Sequence, residues 1–256
     1  VIVLGTDSAT PRAGVGIVKD GRLLARRVTP PDKNHSETLL GAIVDAMKEA
    51  GVRFSDIGLM AVGLGPGSFT ALRIGVSTMK ALSYAHDVPL VGISTLDVLA
   101  GGLLRKWRDF VPDGGDSIDT PWRRMVEKRA KVAAVIDARR GELYCAVYRL
   151  EGGNVMVRET PYRTITPGAL LDELEGPSIL VGSGCDLLDE SDTASHVIVA
   201  GEYRHPDGGV LADMAREGYE SGRLTDNRDL VPLYVRRSDA EINYERRMQK
   251  DPPLGH

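Results

Sequence analysis

Short apolar runs separated by polar turns fill the first 28 residues. Residues 1–4, 13–18 and 23–28 each read as a strand, and Lys19-Asp20-Gly21-Arg22 carries at its centre the Asp-Gly pair that closes hairpins. The pattern predicts a three-stranded antiparallel meander. The period then changes. Leu39, Leu40, Ile43, Val44 and Met47 recur at steps of three and four, which predicts a helix, with Ser36 able to cap it and Gly51 ending it. Residues 57–63 read as a buried strand, Gly63-Leu64-Gly65-Pro66-Gly67-Ser68 as a loop, and Phe69, Leu72, Val76 and Met79 as the stripe of a second helix. A strand over 88–93 and a helix over 94–104 follow.

Residues 105–130 break this rhythm with turn-rich and charged stretches and read as an exposed loop or insertion. The opening pattern then returns. An apolar run over 131–136 ends in Asp137, as the first run ends near Asp7; strands over 142–150 and 155–160, a helix over 167–174, a strand over 178–181, the loop Gly182-Ser183-Gly184, a strand over 196–200 and a helix over 210–221 complete the series. The chain reads as a divergent duplication in the α/β class. The halves are 1–104 and 131–237, with 238–256 a polar, flexible tail.

Composition narrows the function. The 256 residues carry 32 Lys plus Arg against 36 Asp plus Glu, a formal charge of −4, so bulk charge does not coat nucleic acid with this protein. No apolar run approaches the ~20 residues of a membrane span, and the first residues carry no basic leader; a cytoplasmic protein is expected. Two cysteines, Cys145 and Cys185, build neither a disulfide framework nor a four-ligand zinc site. The five histidines include no i, i+4 pair on a predicted helix, so no metal site is expected.

The candidate chemistry sits in turns. Asp7-Ser8-Ala9-Thr10 and Asp137-Ala138-Arg139-Arg140-Gly141 end matched strands. Such turns offer N–H groups and hydroxyls to an anion, and their Asp can hold a hydrated metal; equally, Asp and Ser begin turns by bonding their own backbone. Gly65, Gly67, Ser68 and Thr70 lead into a helix whose N-terminus favours an anion, or form a purely structural strand-to-helix turn. Gly182 and Gly184 occupy the corresponding place in the second half. The segment 63–73 is neither a P-loop, since the Lys-Ser/Thr ending is missing, nor a dinucleotide fingerprint, since the third glycine is absent. The apolar stripes Leu39, Leu40, Ile43, Val44, Met47 and Leu72, Val76, Met79 face a core or a partner helix pair; spacing alone does not divide them.

Several segments together resemble the TsaB (YeaZ) family: Thr6-Asp7-Ser8-Ala9-Thr10, His35-Ser36-Glu37, Gly65-Pro66-Gly67-Ser68-Phe69-Thr70 with Arg73-Ile74-Gly75, Gly92-Ile93-Ser94-Thr95-Leu96, Ile136-Asp137-Ala138-Arg139-Arg140-Gly141-Glu142-Leu143-Tyr144, and Pro232-Leu233-Tyr234-Val235-Arg236. The resemblance implies a duplicated RNase H-like, actin-like ATPase (ASKHA) fold of two subdomains. It implies a role in making threonylcarbamoyladenosine beside the anticodon of tRNAs that read codons starting with A. The chain would be the non-catalytic partner of a TsaD-like paralogue, with a TsaE-like ATPase as third component, tRNA met through the complex, and a homodimer when alone. No cofactor is required by the resemblance, and ATP or ADP is the candidate nucleotide for the turns above. Where the TsaD paralogue has a metal-binding His-Leu-Glu-Ala-His, this chain has Thr95-Leu96-Asp97-Val98-Leu99, and neither Thr nor Leu replaces an imidazole. One departure is Ala71, where many relatives have Gly. The rival reading is a free-standing ATPase or small-molecule kinase of the same fold.

Overall fold

A computed structural model describes residues 1–31, 34–109, 130–151, 155–188, 196–199 and 201–236. Most of the expected insertion and the tail 238–256 lie outside them. The chain opens with β1 (Ile2–Asp7), β2 (Gly14–Lys19) and β3 (Arg22–Val28), paired antiparallel as the meander predicts. Helix α1 (His35–Ala50), strand β4 (Leu59–Gly63), helix α2 (Phe69–His86), strand β5 (Leu90–Ile93) and helix α3 (Thr95–Asp109) complete the first half. Strands β4 and β5 run parallel to β1, which requires the crossovers that α1 and α2 provide. The sheet order is β3-β2-β1-β4-β5.

The second half repeats this. Strands β6 (Val132–Asp137), β7 (Leu143–Glu151) and β8 (Val155–Arg158) form the hairpins, and β10 (Ile179–Val181) and β11 (Val197–Val199) add in parallel. Its order, β8-β7-β6-β10-β11, is the first order over again, with β9 (Arg163–Ile165) pairing beside β7. Helix α4 (Pro167–Glu173), a short turn Ser183–Leu187 and helix α5 (Gly208–Glu220) accompany it.

Both sheets are buried on both faces, so their strands are apolar at consecutive positions rather than alternately. On β1, Leu4 packs with Leu39, Ile43, Met47 and Met79 of α1 and α2, whereas Val3 packs with Val210 and Leu211 of α5. On β6, Val132 and Ala134 meet Leu96, Leu99 and Leu103 of α3, and Val135 meets Leu170 of α4. The layers therefore run α1/α2, first sheet, α3/α5, second sheet, α4. Each half's last helix lies in the shared middle layer. Helix α5 approaches the first sheet so closely that a Cβ on Gly16 would stand 2.1 Å from the Gly209 nitrogen.

Four expectations change. Helix α3 continues to Asp109, so 105–109 belong to a helix and not to the insertion; Arg105 is only 15% exposed and pairs with Asp213, 2.8 Å away, and with Glu217. Asn34, not Ser36, occupies the N-cap of α1. Strand β8 stops at Arg158, and β9 follows it. Helix α5 starts at Gly208, where Asp207 accepts the Gly209 and Val210 N–H groups at 2.8 and 3.1 Å.

Candidate functional site

The turns that follow β1 and β6 face one another across a cleft of about 970 Å³ between the halves. Thr10, Gly67, Ser68, Thr70, Asp137 and Arg139 line it, together with His35, Tyr144, His205, Tyr234 and Arg236. Of the candidate loop residues, Asp7, Ser8, Gly65, Gly182 and Gly184 do not: they stand behind its wall.

Asp7 is fully buried. Its Oδ1 accepts the Ala9 N–H at 2.9 Å and its Oδ2 accepts the Thr95 hydroxyl at 2.8 Å. Gly63 is obligatory here, because a Cβ would stand 2.0 Å from Asp7 Oδ2. Burial pushes the Asp7 carboxyl up to about 6, against the lowering effect of Ala9, Thr95 and His35. The Ser8 hydroxyl donates to the Ala71 carbonyl at 2.7 Å, and the Ala9 carbonyl accepts the Ser68 N–H at 2.9 Å. The side chains and N–H groups that would meet an anion in the first turn are thus bonded within the fold. His35 is 7% exposed; its Nε2 lies 2.9 Å from the Thr10 carbonyl, which can only accept, so Nε2 carries the proton.

The second turn is open. Asp137 is half-buried, and its Oδ1 accepts the Arg139 N–H at 2.6 Å. Arg139, Arg140 and Gly141 take φ of 67°, 57° and 75°, three left-handed residues in succession, two of them with side chains that disfavour that region. Both arginines are exposed at the cleft mouth.

Sequence reasoning missed the residues that roof the cleft. Phe69 packs against Tyr234 with ring centres 5.1 Å apart, the Arg73 guanidinium lies 3.7 Å over the Phe69 ring, and Arg73 Nε donates to the Tyr234 hydroxyl at 3.1 Å. Arg236 crosses to the second half and donates to Glu142 at 3.1 Å. His205 lies 3.3 Å from Thr10 Oγ1, and burial, with Arg12 and Arg204 nearby, holds its imidazole below the usual range. The Pro-Leu-Tyr-Val-Arg segment was the signal available for Tyr234 and Arg236.

The eight apolar candidates divide sharply. Leu39, Ile43, Met47, Val76 and Met79 are at most 6% exposed and belong to the core under the first sheet, and Leu72, 1% exposed, is buried at the wall of the cleft. Leu40 and Val44 stand on the outer side of α1 at 51% and 36% exposure, beside Gly41, whose missing Cβ would meet nothing. Tyr84 is exposed on α2.

Cys145 and Cys185 are buried, with burial pushing each thiol up to about 12, so neither is a ready nucleophile. Thr95 and Leu99 are buried, Thr95 on Asp7 and Leu99 in the core. Among the described residues, no three His, Cys, Asp or Glu side chains gather as a metal site, and no helix is long and apolar enough to cross a membrane.

Two sheets of identical strand order, with the turns after their first strands opposed across a cleft, define a protein of the duplicated actin-like (ASKHA) class. YeaZ from Pseudomonas aeruginosa has the same fold: TM-score 0.70, 24% identity, covering 91% of this chain and 99% of that one. Residues 23–106 match the family model for TsaD, tRNA N6-adenosine threonylcarbamoyltransferase. Over 93% of its length the chain is 26% identical to the tRNA threonylcarbamoyladenosine biosynthesis protein TsaB of Escherichia coli, covering 96% of that protein. The TsaB of Bacillus subtilis is 25% identical over 94% of this chain and 97% of its own. The chain is thus similar to TsaB (YeaZ) proteins over more than nine-tenths of its length.

Proposed function

We propose that this protein serves tRNA threonylcarbamoyladenosine formation as a non-catalytic partner of a TsaD-like transferase, together with a TsaE-like ATPase. In this reading it acts in the cytoplasm on the adenosine next to the anticodon of tRNAs reading codons that begin with A, and meets tRNA through the complex. The observation that carries the reading is the outer side of α1, where Leu40 and Val44 remain exposed while Leu39, Ile43, Met47, Val76 and Met79 cover the sheet. Burying such a surface against a structural relative stabilises whichever arrangement of the relative binds it better, which is how a silent subunit supports an active one. The same surface pairs two copies when the partner is missing.

The test is co-purification of the chain with the paralogue. Leu40→Glu with Val44→Glu keeps the fold, since both side chains already meet solvent, and weakens heterodimer formation at least about tenfold, while Val76→Glu unfolds the chain and says nothing about binding. A folded double variant that still co-purifies normally sinks the reading.

The cleft favours a second reading, a nucleotide-dependent ATPase or small-molecule kinase. Its 970 Å³ and its exposed arginines suit a nucleotide. The internal bonding of Asp7, Ser8 and the Ser68 N–H weighs against it. Calorimetric titration with ATP and magnesium decides: tight binding with turnover by the pure chain favours this rival.

A further inference from the structure

A second cavity of about 530 Å³ opens on the far side of Leu233, which lines both it and the cleft. Leu104 of α3, Met156 of β8, Met214 of α5 and Leu224 form apolar walls, and the last three are only half-buried. Asp97 of α3 lies in this lining. The hydroxyls of Tyr148 and Tyr162 donate to its two oxygens, each at 2.7 Å. Each carboxylate oxygen keeps further acceptor capacity, and among the described residues no Lys, Arg or His pairs with Asp97.

Arg158 is the complement. It is exposed at the cavity mouth with its guanidinium centre 3.8 Å over the Tyr162 ring, and it has no carboxylate partner among the described residues. Arg105, which also lines the cavity, differs in being taken up by Asp213 and Glu217. One phenol ring thus separates an anion and a cation that lack ionic partners. The 2.7 Å bond, the 3.8 Å stacking and the width of the ring set the two charges roughly 6–7 Å apart. An α-amino acid carries its ammonium and carboxylate on one carbon; with a charge-assisted hydrogen bond at each end it spans a gap of roughly 6–8 Å.

We propose that this cavity binds a free aliphatic α-amino acid, its ammonium on Asp97, its carboxylate on Arg158 and its side chain against Leu104, Met156, Met214 and Leu224. An acid without the amine meets Asp97 as a like charge. An amine without the acid leaves Arg158 unused. Selectivity for the zwitterion follows from the pair, and the aliphatic preference from the walls. The site is independent of the partner-subunit reading, since neither α1 nor α2 contributes to it.

The experiment uses the full chain and three probes that share one carbon skeleton: L-leucine, 4-methylpentanoate, which lacks the amine, and 3-methylbutylamine, which lacks the carboxylate. Ligand-observed NMR titration is expected to give leucine a Kd of about 1 mM or tighter, with both half-molecules at least about tenfold weaker. Arg158→Met keeps the stem on Tyr162 and removes the charge; it weakens leucine at least about fivefold and leaves the amine unchanged. Met214→Trp, which fills the cavity from α5, abolishes the leucine signal and serves if the first variant misfolds. Absence of saturable leucine binding, equal binding of leucine and 4-methylpentanoate, or wild-type binding by either folded variant overturns the proposal.

Discussion

The two halves share a strand order but not an outer layer. Over the first sheet lie α1 and α2, of 16 and 18 residues; at the matching places over the second lie α4, of seven, and the five-residue turn Ser183–Leu187. The second half shows how little helix suffices: Leu170, Leu174, Cys185 and Leu188 cover Val135, Cys145 and Val147. The first half carries more helix than its sheet needs to cover. What exceeds the need is apolar, with Leu40, Val44 and Tyr84 left outside. A duplicated fold thus separates what the architecture requires from what one copy has added.

The sharpest way to break this comparison is to cut into the two sides of α1. Ile43 is fully buried among Leu4, Leu39 and Met79, so Ile43→Ala removes methylenes and leaves a cavity, a loss of about 3–4 kcal/mol. Leu40→Ala, one helical face away, changes stability by no more than about 0.5 kcal/mol. Urea denaturation of both variants measures the difference. Equal losses would mean that the outer side is also packed within the chain, and the surplus surface would disappear.

The matched turns offer the next test. Asp7 and Asp137 end equivalent strands, yet one is sealed with Thr95 and the other is half-open beside Arg139. Sealing raises the Asp7 carboxyl from 3.8 to about 6. A raised acid contributes stability that is complete below its unfolded value and is lost as pH rises through the folded one. The window is therefore from about pH 4 to somewhat above pH 6, and the loss is about 3 kcal/mol. Asp7→Asn removes the titration while retaining an acceptor for the Ala9 N–H. The stability of the variant relative to the wild-type chain is expected to improve by about 3 kcal/mol across that window. Denaturation curves for both proteins at several pH values check it; profiles that stay parallel refute the burial of an acid at this site.

The strands and the duplication were legible because double-faced burial writes continuous apolar runs, and both halves write them in the same order. Strand β9 was not: Arg163, Thr164 and Ile165 are too few to show a period. The true start of α5 was hidden by Gly208 and Gly209, which read as a turn and are there because the first sheet approaches their backbone. The Asp207 cap was the clue to it. At the site, Asp7 was visible but its confinement was not, since Thr95 lies 88 residues away. The helical stripes gave an undivided list of apolar residues. Leu39 and Leu40 differ by one position, about 100° around α1, and only the packed sheet tells which one is inside. The Phe69–Tyr234 roof joins segments with no shared pattern.

The smallest effect concerns the open turn. Arg139 holds a φ of 67° with its side chain 83% exposed, and its nearest carboxylate oxygen, on Asp137, stands 4.0 Å from Nη1. Relieving a left-handed residue of its Cβ returns about 1–2 kcal/mol, while glycine's freer unfolded chain takes back about 0.5–1. An exposed ion pair at that distance adds little. Arg139→Gly is therefore expected to raise stability by about 0.5 kcal/mol, read as a small rise in the urea midpoint with unchanged slope. A loss of similar size would show that the guanidinium anchors the turn. The same variant sharpens the contrast between the turns: the sealed one spends its polar groups on the fold, and the open one holds an arginine that the fold would do better without. If Arg139→Gly stabilises the chain yet weakens phosphate or nucleotide binding, the open turn is the half of the pair that retained a ligand.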